Sequence, residues 1–120
     1  MSGHRITADL LKADFDQADP GNAGKITATG NWTVVELVTG GSGETRTLAD
    51  PHKSGQLIIL TVKTDGGGDC AVTADTAINT TGNTVITFGD AGDTVVLTSI
   101  PNGTSGYKWI ITANDTAALS

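Results

Sequence analysis

The run Gln56-Leu57-Ile58-Ile59-Leu60-Thr61-Val62-Lys63 is the most apolar stretch of the chain, and it sets the first condition on the fold. Its length suits a strand, since strands usually take about 4–8 residues and helices at least about 10–12. Alternation places Ile58, Leu60 and Val62 on one face and Leu57, Ile59 and Thr61 on the other, so both faces are mostly apolar. Such a strand needs cover on both sides. One cover is the core of a sandwich or barrel; the second is the remaining chain, the amino-terminal segment, or another subunit.

The pieces available for that core are small. Aromatic residues make up only 4% of the chain, so Trp32, Phe88, Tyr107 and Trp109 are its few large blocks and Val, Ile, Leu and Ala must supply the rest. Threonine fits a pleated, half-exposed surface, and glycine supplies the backbone angles of tight turns, which together predict many short strands. Residues 32–39 read as the first long strand, turned by Gly40-Gly41-Ser42-Gly43 into a second over 44–48, as a hairpin. Pro51 places residues 49–55 in a loop before the central strand. Further strands are expected over 70–74, 84–88, 93–100 and 107–113, with Asn102-Gly103 the strongest turn signal and Phe88 directed to the core. The expected fold class is all-β: an antiparallel β-sandwich or jelly-roll-like barrel of about seven to eight short strands, with turns at about 8–12-residue spacing.

Residues 1–31 differ from this pattern and read as an amino-terminal arm or short helix plus linker, leaving 32–120 as the β-domain. Thr7 can cap a helix in which Leu11 and Phe15 lie four apart; the alternative is an extended arm with Asp19-Pro20-Gly21-Asn22-Ala23-Gly24 as its hinge. In either form Leu10, Leu11 and Phe15 are the candidate subunit or capsid contacts, because they have no apolar partner in their own neighbourhood.

Composition narrows the functional classes. A net charge of −6 with scattered basic residues argues against nucleic acid and against anionic membrane surfaces. The single cysteine, Cys70, forms no internal disulfide and offers metal cages no thiolate partner. Neither a membrane span nor a signal peptide is expected, since no run of about 18 apolar residues and no basic-then-apolar leader occurs. The carboxylates Asp65, Asp69, Asp90 and Asp93 fall in predicted turns, where they read as turn formers before calcium ligands or paired acids. Cys70 has only His4 and His52 as possible bases and reads as a small core residue. Trp32, Tyr107 and Trp109 could stack on a sugar, although Trp109 sits in a strand that is better read as core. No catalytic residue, cofactor site or metal site follows from these patterns, and the chain is expected not to be an enzyme.

The segment Glu44 to Ser120 resembles small head decoration, or cement, proteins of tailed bacteriophages. The resemblance is carried by Thr45-Arg46-Thr47-Leu48-Ala49-Asp50-Pro51, Gly55-Gln56-Leu57, Lys63-Thr64-Asp65-Gly66-Gly67-Gly68-Asp69, Thr81-Gly82-Asn83-Thr84, Thr87-Phe88-Gly89-Asp90-Ala91-Gly92-Asp93 and the ending from Trp109. It implies a non-enzymatic virion protein, assembled in the host cytoplasm, that binds the major capsid protein on the outer surface of the capsid as a homotrimer and reinforces the shell. The alternative is a head-fibre or tail-fibre module recognising a host-surface glycan.

Overall fold

The computed structural model describes residues 16–120. The segment over residues 7–15 read as a short helix or an extended arm, and with it Leu10, Leu11 and Phe15, lies outside the described residues. Ten strands follow in order: β1 (Asp16–Gln17), β2 (Gly24–Ile26), β3 (Trp32–Val38), β4 (Glu44–Leu48), β5 (Leu57–Thr64), β6 (Cys70–Ala74), β7 (Val85–Phe88), β8 (Thr94–Pro101), β9 (Tyr107–Asp115) and β10 (Ala118–Leu119). They form two five-stranded sheets, sheet I in the order β1-β3-β5-β8-β9 and sheet II in the order β10-β7-β6-β4-β2. The fold is an all-β sandwich.

The pairing is mixed where the sequence suggests antiparallel. From β1 to β6 the chain crosses from sheet I to sheet II three times and returns twice, so that β1, β3 and β5 pair in parallel on one side and β2, β4 and β6 on the other. After β6 the direction reverses: β7 runs antiparallel to β6, and β8, β9 and β10 complete the two sheets antiparallel to their neighbours. The expected hairpin of β3 and β4 therefore does not form, because the glycine turn carries the chain across the sandwich instead of back along one sheet. The hairpin signalled by Asn102-Gly103 does form, between β8 and β9, closed by Asn102 N–H donating to the Gly106 carbonyl at 3.0 Å. Residues 16–31 are more than arm and linker: they supply β1 and β2, and Ile26 and Ala28 belong to the core.

Stacked corners make parallel crossing possible. The corner after β3 lies against the corner after β5, with Gly66 N–H donating to the Thr39 carbonyl at 3.0 Å and Gly68 N–H to the Gly40 carbonyl at 3.1 Å. A Cβ on Gly66 would fall 2.5 Å from the Thr39 oxygen, and one on Gly68 2.0 Å from the Ser42 oxygen, so no other residue fits at either position without moving backbone. The corner after β7 joins the same stack through Gly92 N–H and the Val62 carbonyl.

The core lies between the sheets. Ile58, Leu60 and Val62 of β5 point into it beside Val35, Leu37, Val72, Ile86, Val95 and Leu97, and Trp109 and Phe88 are its largest apolar side chains. Trp109 donates its indole N–H to the Ala49 carbonyl at 2.8 Å, which satisfies the one polar atom of an otherwise apolar block. Cys70 is fully buried in the same core, as a small apolar side chain.

Candidate functional site

The outer face of sheet I carries the second apolar surface that the central strand requires. Alternation along β3 sends Thr33, Val35 and Leu37 inward and leaves Trp32, Val34, Glu36 and Val38 outward. Register then lines up rows across the sheet: Trp32 opposite Leu57, Leu57 opposite Thr98, and Thr98 opposite Ile110; beside it run Val34, Ile59 and Val96. Direct cross-strand neighbours of this kind stabilise a sheet, but they cover one another only from the sides. Trp32 remains 50% exposed and Val38 48%, and Trp32, Thr33, Val34, Leu57 and Ile59 line a depression of about 230 Å³. Large apolar side chains gathered around a concavity are the ordinary signature of a contact surface.

The inner side of sheet I has a separate feature at its β1 edge. Among the described residues, Gln17 Oε1 and Thr33 Oγ1 are buried side-chain oxygens without a hydrogen-bond partner. Both lie where β1 joins β3, a ladder that contains only the pairs Asp16 with Val34 and Gln17 with Val35.

Elsewhere the polar groups serve the frame. The Arg46 side chain is fully buried between the two sheets, where its Nε donates to Asp19 Oδ1 at 2.8 Å, its Nη2 to Asp19 Oδ2 at 2.9 Å and to the Val38 carbonyl at 3.1 Å, and its Nη1 faces Glu44 Oε1 at 3.0 Å. Asp19 also accepts from the N–H groups of Gly21 and Val38, so one carboxylate ties the first corner to the end of β3. Burial is the largest single influence on Asp19 and disfavours its charge, yet the hydrogen bonds from Arg46, Val38 and Gly21 together hold its pKa below the ordinary value. The expected hinge is therefore an anchored corner.

The candidate residues for chemistry fall apart in space or in role. Asp65, Asp69, Asp90 and Asp93 do gather at the corner end of the sandwich, but Asp65 caps the N–H of Gly67, and Asp93 accepts from Gly89 N–H, Asp90 N–H and the Thr116 hydroxyl. The Thr116 hydrogen bond leads in holding the Asp93 pKa down, which fits a turn-forming carboxylate. No group of three His, Cys, Asp or Glu among the described residues is placed to hold a metal ion. Burial pushes the Cys70 thiol up, away from the reactive thiolate, while His52 is exposed in the loop at the opposite end of β4. Trp32 and the aromatic residues of β9 lie on the two sides of sheet I, three strand spacings or roughly 14 Å apart, so they make no common sugar platform.

The sequence shows the two-faced character of β5 but not the breadth of the face. Paired apolar positions in Val95-Val96 and Ile110-Ile111 carry that signal, since each pair sends one side chain inward and the next outward. Comparison with known protein families, curated proteins and solved structures finds no match to this chain.

Proposed function

We propose that this protein is a capsid decoration, or cement, protein: a non-enzymatic module that binds the major capsid protein on the outer surface of a tailed-bacteriophage head, as a homotrimer, and reinforces the shell. The observation that carries this reading is the outer face of sheet I, a broad apolar surface with half-exposed Trp32 on a sandwich whose buried Arg46 serves its frame. A rigid two-layer body with one adhesive face suits static attachment. The sequence resemblance supplies the identity of the partner.

Purified shells lacking the decoration layer, mixed with this protein and sedimented, should carry it down. Trp32→Ser with Ile59→Ser should lower the bound fraction at least tenfold while the far-UV spectrum stays that of a β-protein. Absence of binding, or equal binding by the folded double variant, would overturn the proposal; binding to host cells or glycan arrays instead would support a fibre module. Light scattering gives the oligomeric state, and a monomer at high micromolar concentration would remove the trimer from the proposal.

A further inference from the structure

We propose that Asn102 is a site of spontaneous covalent modification, where the side-chain amide is lost through a cyclic imide to give aspartate and isoaspartate in the turn between β8 and β9. In this reaction the Gly103 backbone nitrogen, after losing its proton to base, attacks Asn102 Cγ. The N–Cγ bond forms, the Cγ–Nδ2 bond breaks, and Nδ2 leaves as ammonia with a proton from water. Water then adds to one of the two imide carbonyls. Opening at Cγ leaves an ordinary aspartate, while opening at the main-chain carbon routes the backbone through Cβ and Cγ as isoaspartate. Water is the only co-reactant.

Three requirements meet at this residue and at no other asparagine among the described residues. The nucleophile must lie on uncrowded backbone: Gly103 has no side chain, and a Cβ built there would meet nothing within 4 Å. Its N–H must be free. Gly103 N–H makes no hydrogen bond, whereas the corresponding N–H in Asp65-Gly66 is bound to the Thr39 carbonyl at 3.0 Å. The side-chain amide must be free as well, and that of Asn102 bonds to nothing among the described residues. By contrast, Asn22 Oδ1 accepts from Thr45 N–H, Asn79 Oδ1 accepts from Gly82 and Asn83 N–H, and Asn79 Nδ2 donates to Asn83 Oδ1. Asn114 bonds Ala117 through both of its side-chain polar atoms, and Asn31 is followed by the bulky Trp32. Bringing Gly103 N onto Cγ breaks one local bond, from Ser105 N–H to the Asn102 carbonyl at 2.9 Å, at the exposed tip of a hairpin where local opening is easiest.

The two products differ in the turn. Aspartate keeps the Asn102 carbonyl in the main chain as the acceptor for Ser105 N–H; in isoaspartate that carbon becomes a side carboxylate and the turn gains a methylene. Either product adds a negative charge to a chain of net charge −6. Since β8 runs antiparallel to β5 with Thr98 opposite Leu57, and Trp32 also lies opposite Leu57, the turn stands at the end of sheet I that carries Trp32. The charge therefore arises slowly and irreversibly at the margin of the apolar face, as a mark of the molecule's age.

The test uses the purified full chain, held at mildly alkaline pH either folded or in guanidinium chloride, with peptides mapped by mass and isoaspartate detected with an isoaspartyl methyltransferase. In the folded protein Asn102 should account for nearly all conversion, with both products present. In the denaturant the other asparagines should gain several-fold while Asn102 changes little. No conversion at Asn102 in the folded protein, or conversion several-fold faster in the denaturant, would overturn the proposal. Asn102→Gln, which enlarges the ring to be closed, should remove the acidic species that ion exchange separates from the parent; persistence of that species would overturn it too. Hydrogen exchange reads the turn: Ser105 N–H should be protected as in the parent in Asn102→Asp and should exchange faster in the isoaspartate fraction, and equal protection in the two would refute the account of the turn. No shell enters these experiments, so their outcome is independent of the attachment reading.

Discussion

Replacing Asp19 should cost far more stability than an ordinary surface substitution. Its carboxylate accepts four hydrogen bonds, two from the buried Arg46 guanidinium and two from the N–H groups of Gly21 and Val38. Removing one partner of a buried ion pair costs about 3–5 kcal/mol, because the other charge stays behind without compensation. Glu44 still faces Arg46 at 3.0 Å in Asp19→Ala, which places the expected loss at the lower end, about 3 kcal/mol. Asp19→Asn keeps an acceptor for the backbone N–H groups but not the charge, so about 2 kcal/mol is expected, the scale of hydrogen bonds to charged groups. Urea unfolding followed by tryptophan fluorescence measures both. With a slope of about 1.5 kcal/mol per molar, the Asp19→Ala midpoint should fall by about 2 M. The pH dependence gives a separate check. Folding lowers the Asp19 pKa, so its contribution is fully present above the unfolded value of 3.8 and is lost as pH falls through the lower folded value. The deficit of Asp19→Ala relative to the parent should therefore be constant near neutrality and shrink below pH 3.8. A loss under about 1 kcal/mol at pH 7, or a deficit that widens on acidification, would refute the assignment of Asp19 as the anchor of the first corner.

Three further outcomes are expected. Gly68→Ala should lower the thermal midpoint by well over 10 °C or prevent folding, since its Cβ would meet the Ser42 carbonyl at 2.0 Å, whereas Gly41→Ala, with nothing closer than 3.7 Å, should be tolerated within about 1 kcal/mol. Cys70→Ala should cost about 1–2 kcal/mol in urea and leave shell binding intact, and the native thiol should resist Ellman's reagent until the chain unfolds. Gln56→Leu should cost about 2–3 kcal/mol by the same urea assay, because the Gln56 amide donates to the Gly30 carbonyl and accepts from the N–H groups of His52 and Lys53 in a buried position.

The fold class was legible because it depends on local rules. Alternation, glycine turns and the length of the Gln56–Lys63 run all bear on which residues extend and which face inward, and Ile58, Leu60, Val62, Phe88 and Trp109 lie in the core as those rules require. Sheet membership depends on where a turn sends the chain, which is a matter of long-range stacking. Gly40-Gly41-Ser42-Gly43 reads alone as a hairpin turn and Gly66-Gly67-Gly68-Asp69 as a turn; paired, they are two layers of one crossing. The register of β3 on β5, Trp32 with Leu57 onward, and of β4 on β6, Glu44 with Cys70 onward, exposes an internal repeat that few identical residues announce. The outer face was legible in β5 alone, since no single strand reveals which neighbours share its rows. Arg46 gave no signal, because a lone arginine among threonines looks like an exposed strand residue until Asp19 is brought beside it.

The stacked corners give the molecule two unequal ends. At one, each crossing is the template for the next, through Gly66 on Thr39, Gly68 on Gly40, Glu44 N–H on Asp69 and Gly92 on Val62, so an added residue in any layer forces its neighbours out of step. At the other, the turns over residues 79–83 and 102–106 close largely on themselves, through Asn79 with Gly82 and Asn83 and through Asn102 with Ser105 and Gly106. Foreign peptide grafted between Thr104 and Ser105 or at Thr81 would extend outward without disturbing a single inter-strand bond. The sandwich is in this sense a carrier with a fixed base and a free tip, able to hold new epitopes at one pole while the other keeps the strands in count.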